Sequence, residues 1–338
     1  MIQKSVKTGF VMVVAFGILF AWSSCTSRQK GSNMPRSIGN TSEVLVVLQN
    51  QEQWDSQMGQ TIRKYMEQEQ YGMPQVEPLF KLSHITVSSF SELFKKHRNI
   101  LIVGIDPTLS ESVMEVKNDL WAAPQRIFSI KSPSVSAFEQ LFADNEELIV
   151  QNFGEAERQR IMEVFNPTTK NDVSEAVLKT FHLKLSVPSG FYIAKSVDGF
   201  MWLRKEVPDY SQGILIISEP YQSEAQFSVA SITARTAREM QINVPGSSDG
   251  SYMIIDTTYV PPRGLQVTNF PFEYTIETRG MWNVANDFMG GPFVSYTFTD
   301  TNHEHIITLL GYVYYPNHPK RDLLRQVEAI LYTASPVK

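Results

Sequence analysis

The feature that most constrains this chain is a change of rhythm near residue 186. Before it, apolar runs of strand length alternate with helical stretches; after it, strand follows strand across turn-length connections. Alternation of strand and helix points to a layer with some parallel pairing, whereas short connections join antiparallel neighbours. The expected class is therefore α+β: an N-terminal α/β layer of alternating strands and helices over 43–166, a helix and linker over 167–186, and a mainly antiparallel sheet packed by helices over 187–338.

Within the first layer, Glu43–Leu48 reads as a buried strand followed by a helix, with Asn50 as N-cap and Trp54, Met58, Ile62 and Tyr65 on one face. Asn99–Ile105 reads as a second central strand after a short helix at Ser91–His97. Arg126–Ile130 is a third, leading through a capping box at Ser136–Glu139 into a helix that carries Phe138, Leu141 and Phe142. Helix resumes through Leu148, Phe153, Ile161 and Phe165. The stretch Phe80–Phe90 would add an antiparallel edge. Strand order is not encoded in these patterns.

In the second part, strands are expected at Gly190–Ala194, Phe200–Lys205, Gly213–Ser218, Tyr252–Tyr259, Leu265–Thr278, Phe293–Thr299 and Ile306–Tyr315. One helix, Gln226–Met240, interrupts them. A closing helix places Pro319 in its first turn and Asp322 at its dipole, with Leu323, Leu324, Val327, Ile330 and Leu331 as the buried stripe.

The N-terminus follows the logic of an export signal over 1–24. Lys4 and Lys7 supply charge, Phe10–Ala21 is apolar, and Ser23–Ser24 precede Cys25. That stretch is roughly a dozen residues, short of the about 20 needed to span a bilayer. Cys25 is the only cysteine, so an exported chain would carry an unpaired thiol unless lipidation, palmitate included, consumed it. Residues 25–42 then read as the lipidated cysteine and a flexible tether. Without a second cysteine the body must be held by packing. Removing Lys4 and Lys7 takes the formal charge from −5 to −7, which gives no reason to expect a nucleic acid partner.

Several phrases occur together: Cys25 with its preceding small residues, Met73–Phe80, His97–Leu101, Trp121–Gln125, Glu155–Arg158, and Val187–Phe191 with Trp202–Arg204. This combination resembles the Bacteroidota envelope lipoproteins grouped as domain of unknown function 4837, over nearly the whole chain. The resemblance implies an envelope compartment and brings no catalytic residues with it. It also implies a host with an outer membrane. Thr26 after the cysteine, and the lack of an acidic run there, then favour the periplasmic face of that membrane. Separately, the strand series with its closing helix is loosely similar to the α+β sandwich of PsbP and Mog1 proteins, a topological likeness without functional content.

Chemistry is sparse. His303 and His305 alternate on a strand and are weak candidates for a shared cation; a third ligand is not identifiable, so no metal is expected. Gly246–Gly250 only superficially resembles a nucleophile elbow and reads as a loop. Phosphate-cradling glycine motifs are missing, and Gly290–Pro292 reads as a turn, so no cofactor is expected. Asp144, Glu146 and Glu147 suit a helix start, and Lys95–Arg98 suits a helix end. The double-proline segment Met73–Pro78 is an extended connection or a docking loop. Trp202, Arg204 and Glu206 on one strand, with Glu277, Arg279 and Trp282 on another, would line a groove; cross-strand ion pairing with snorkelling arginine stems explains the same pattern.

No residue set defines a reaction. The leading expectation is a membrane-anchored, non-enzymatic protein that binds or scaffolds another envelope protein or a cell-wall component. The alternatives are a glycan or peptidoglycan hydrolase, needing a carboxylate pair assembled in space, and a carrier of an apolar ligand, needing a sizeable cavity.

Overall fold

The computed structural model describes residues 34–165 and 172–337. The expected signal, Cys25 and the tether as far as residue 33 lie outside the described residues. Pro35–Lys338 form one compact unit, in which, among the described residues, two large sheets and a two-stranded one stand among seven α-helices.

The first layer is built from β1 (Glu43–Leu48), α1 (Gln51–Asp55), α2 (Gln57–Met66), β2 (Lys81–Thr86), β3 (Asn99–Ile105), β4 (Val113–Asn118), β5 (Arg126–Ser132), α3 (Val135–Asp144) and α4 (Glu146–Phe165). Its five strands run in the order β2-β1-β3-β5-β4. Asn50 caps α1 as expected, but the helix breaks at Ser56, whose side chain caps α2. β2 pairs parallel with β1, so the Phe80–Phe90 edge is not antiparallel; the antiparallel edge is β4, too polar and exposed to stand out by periodicity. The capping box at Ser136 is also corrected, because Ser134 accepts the bond from Ala137 N. One face of the sheet meets the helices through Val44, Val46, Leu101, Phe128, Phe138 and Phe153.

The second layer comprises α5 (Asp172–Phe181), β6 (Leu183–Lys184), β7 (Tyr192–Val197), β8 (Phe200–Glu206), β9 (Ser211–Pro220), α6 (Val229–Asn243), β10 (Tyr252–Ile255), β11 (Arg263–Val267), β12 (Thr275–Ala285), β13 (Gly290–Thr299), β14 (His305–Tyr314), α7 (Arg321–Leu331) and β15 (Ser335–Pro336). Its eight-stranded sheet runs β10-β12-β13-β14-β9-β8-β7, with β11 also on β12, and every pair is antiparallel. The α+β class is thus observed. The single strand expected over Leu265–Thr278 is two, because the chain leaves β11 after Val267 and returns as β12 antiparallel to it. Gly290–Pro292 open β13 rather than forming a turn, and Pro292 stands opposite Met281.

This sheet is covered on both faces, which explains why Ile214–Ile217 form a continuous buried run rather than an alternating one. One face packs on α5 and α7 through Met201, Leu203, Val294, Phe298, Val177, Val327 and Ile330. The other packs on α6 through Phe200, Leu215, Ile217 and Met240. Among the described residues, no helix is long and apolar enough to cross a membrane.

The two layers meet at α7. Lys320, its N-cap, offers the helix no side-chain capping bond, and Pro319 precedes the helix. The cap comes instead from the double-proline segment, where the buried Glu77 carboxylate accepts from the backbone N of Lys320 (2.7 Å) and Arg321 (2.9 Å). A carboxylate at a helix N-terminus both accepts free N–H groups and complements the dipole. Arg321 donates back to Pro78 O, and Asp322 accepts from Ser42 Oγ. Residues 34–42 are held too: Ala123 N donates to Pro35 O, and Ile38 N donates to Lys96 O. Any free tether therefore ends before Pro35.

Candidate functional site

Alternation along β12 divides the six groove residues. Glu277 and Arg279 point toward α7, and Trp282 points toward α6 with Trp202. The structure therefore makes two sites on opposite faces of one sheet.

The first is a cleft of about 440 Å³ between the layers, walled by α4, the residues before β2, β11, β12 and α7. At its floor Arg279 donates through Nε to Glu277 and through Nη2 to Glu328 on α7, both at 2.5 Å. The Tyr296 hydroxyl, on the neighbouring strand, lies 2.9 Å from Glu277 Oε2 and 2.7 Å from Glu328 Oε1. Burial opposes the charge on Arg279, but Glu277 and Glu328 outweigh it and hold the guanidinium charged. Burial alone would raise Glu328; Arg279, Arg158, the Tyr296 hydrogen bond and Arg325 reverse this and leave it below the usual carboxylate value. Burial and the two glutamates push Tyr296 well up, so it remains a phenol.

Two further arginines line this cleft. Arg325 donates to Ser42 Oγ and Leu79 O and lies over the Phe80 ring. Arg158 sits 3.5 Å above the centre of the Tyr332 ring. Tyr332 donates to Asn269, and burial pushes its pKa up to about 12. Of these groups only Glu277 and Arg279 were singled out in the sequence. Arg325 and Glu328 follow Arg321 at successive spacings of four and three residues along α7, a polar stripe beside the apolar one.

The second site is a pocket of about 230 Å³ at the far face, lined by Trp202, Arg204, Trp282, Tyr312, Met253 and Met289 among others. Trp202 Nε1 donates to the Tyr312 hydroxyl at 2.9 Å, and Trp282 Nε1 donates to Val313 O at 3.3 Å. Arg204 lies over the Trp202 ring and pairs with Glu206, which also accepts from Tyr192. The Tyr312 ring fits because Gly213 faces it: a Cβ there would fall 2.2 Å from ring carbons. Phe288 stands fully exposed on the loop before Met289.

The histidine pair is not a shared site. His303 has a left-handed backbone in the hairpin turn and its Nδ1 pairs with Thr299 Oγ1, while His305 pairs with Asp300. The residues whose ligand atoms lie within 4.8 Å of one another are Asp300, Glu304 and His305. They border a depression of about 490 Å³, but Asp300 Oδ1 already accepts from the backbone N of Glu304 and His305 and thereby shapes the turn. The basic run at Lys95 is dispersed as well. Lys95 pairs with Glu92, His97 Nδ1 lies against Asn99 O, and Arg98 lies 3.6 Å from the buried Glu157. The helix expected before it is only a 3₁₀ turn, Phe94–Lys96.

Residues 170–333 match the model of a domain of unknown function, DUF4837, and residues 37–166 match that of another, DUF8532. The resemblance expected over nearly the whole chain is thus divided between two domain models. Among solved structures, the chain is similar to LpqN, described as involved in cell envelope biogenesis of Mycobacterium tuberculosis. The TM-score is 0.28 at 10% identity, over 46% of this chain and 83% of that one, a likeness too slight to carry an argument. No curated protein matches the sequence.

Proposed function

We propose that this chain is a lipid-anchored, non-enzymatic binding protein of the cell envelope, and that its ligand-binding element is the cleft between the two layers. The observation that carries the reading is the cleft floor, where Arg279, Glu277 and Glu328, fixed by the buried Tyr296 hydroxyl, present polar groups beside the apolar walls of Leu265, Val267 and Tyr332. Such a mixture of apolar wall and convergent polar groups is what small-ligand sites use.

Glycan hydrolysis fits the same residues less well. A glycosidase needs one carboxyl protonated near neutral pH as general acid. Here both glutamates are ion-paired to one guanidinium, and Glu328 is held below the ordinary value. An apolar carrier would need more room than the aromatic pocket gives, since about 230 Å³ falls short of the roughly 300–1,000 Å³ of typical ligand sites.

Cys25 would anchor the protein, with the periplasmic face of the outer membrane as the proposed location. Because Pro35 is already tied to Ala123, the free tether would be about eight residues and reach roughly 15 Å. The cleft would then work close to the membrane surface. A photo-crosslinker placed at the exposed Leu265, on the cleft wall, should capture an envelope component in intact cells. One placed at exposed Val164 should not. Repeated recovery of the uncoupled chain from both positions would sink the reading.

A further inference from the structure

The cleft holds charges that are matched and charges that are not, and the difference identifies a class of ligand. At the floor Arg279 is matched by Glu277 and Glu328. Arg325 and Arg158 are not matched in this way. Among the described residues neither makes an ion pair; Arg325 is held by a hydroxyl, a carbonyl and the Phe80 ring, and Arg158 by the Tyr332 ring. Burial, with the neighbouring Arg321, pushes Arg325 down to about 10 against the pull of Glu328, Asp322 and Glu157. Charges taken from water in this way call for a counter-charge.

The same cleft also carries the opposite charge. α4 places Glu146, Glu147 and Glu155 along the cleft wall, with Glu147 exposed. Two of them accept from amides, Glu155 from Asn269 and Glu147 from Gln151. Val150, Leu265 and Val267 supply apolar surface along the same cleft.

We infer that the cleft binds a zwitterion of the amino-acid or short-peptide class, its carboxylate received by Arg158 and Arg325 and its amine by the glutamates of α4. Guanidinium forks suit a carboxylate in geometry as well as charge. The short apolar walls accept small aliphatic side chains. This deepens the proposed function and rests on it.

The test is calorimetric titration of the full chain in detergent with four probes: alanyl-alanine, its C-terminal amide, its N-acetyl form, and inorganic phosphate. The free dipeptide is expected to bind, and each blocked form to bind at least about tenfold more weakly, the loss of one charge contact. Arg158→Gln should weaken dipeptide binding by about the same factor with an unchanged far-ultraviolet circular dichroism spectrum, because no ion pair ties Arg158 to the fold and it rests on the Tyr332 ring. Equal binding of free and blocked dipeptides would overturn the inference, as would displacement by phosphate or an unaffected Arg158→Gln. Absence of dipeptide binding at millimolar concentration would overturn the ligand class alone. The proposed cleft function would still be judged by capture from Leu265.

Discussion

The two faces of the eight-stranded sheet are ordered by different forces. On the α7 face, Arg279, Glu277, Glu328 and Tyr296 form a charged network with 12–16% of the ion-paired side chains exposed. On the α6 face, Trp202, Trp282 and Tyr312 pack at 3–7% exposure, joined by a neutral hydrogen bond. Both faces are set by the alternation of the same strands. The difference teaches that the charged face depends on compensation and hence on protonation, whereas the aromatic face depends on shape. On the charged face, Arg158 and Arg325 make no ion pair among the described residues.

The largest effect should follow Arg279→Met, which leaves Glu277 and Glu328 together without their shared cation. Breaking a largely buried pair from one side costs about 3–5 kcal/mol, measurable by urea unfolding at pH 7. Glu328 has a folded pKa below its ordinary 4.5. Its stabilising contribution is therefore fully present above that value and is lost as the pH falls through the folded one. The gap between parent and variant should narrow below pH 4.5. A gap that stays constant into acid would break the contrast between the faces.

A smaller loss, about 1–2 kcal/mol, is expected for Glu77→Gln. The amide keeps one acceptor for the N-terminus of α7 but gives up the charge that faces the helix dipole. The same unfolding assay reads it. A loss as large as that of Arg279→Met would mean that the cap, and not the ion network, sets the charged face.

How much of this was legible depends on the range of the interaction. Glu43–Leu48 and Asn99–Ile105 were found at their observed limits, because runs of Val, Ile and Leu bounded by polar residues declare a buried strand locally. The direction of β2 was not, since parallel pairing is decided by where the chain crosses over. Strand parity was enough to set Trp282 apart from Glu277 and Arg279, as even and odd positions of β12 face opposite ways. The grouping of all six residues overlooked that signal. Glu77 and α7 lie more than 240 positions apart, and no local pattern links a proline-flanked glutamate to a helix lacking its own cap. The cleft is invisible in sequence for the same reason. It is formed by α4, β12 and α7, which only the fold brings together.

The smallest predicted effect is the sharpest probe of the aromatic face. Tyr312→Phe keeps the ring that fills the space over Gly213 and removes only the hydroxyl that accepts from Trp202 Nε1. The buried indole N–H loses its acceptor, so the cost should be about 1 kcal/mol, the net worth of one neutral hydrogen bond. Burial pushes the Tyr312 pKa up to about 12. The phenol therefore carries no charge across the range in which Glu328 titrates, and the loss should be the same at pH 3.5 as at pH 7.5. Dipeptide binding in the cleft should also be unchanged. A Tyr312→Phe loss that shrinks in acid alongside that of Arg279→Met would show the two faces to be coupled through the sheet, and the division between charge order and shape order would fail.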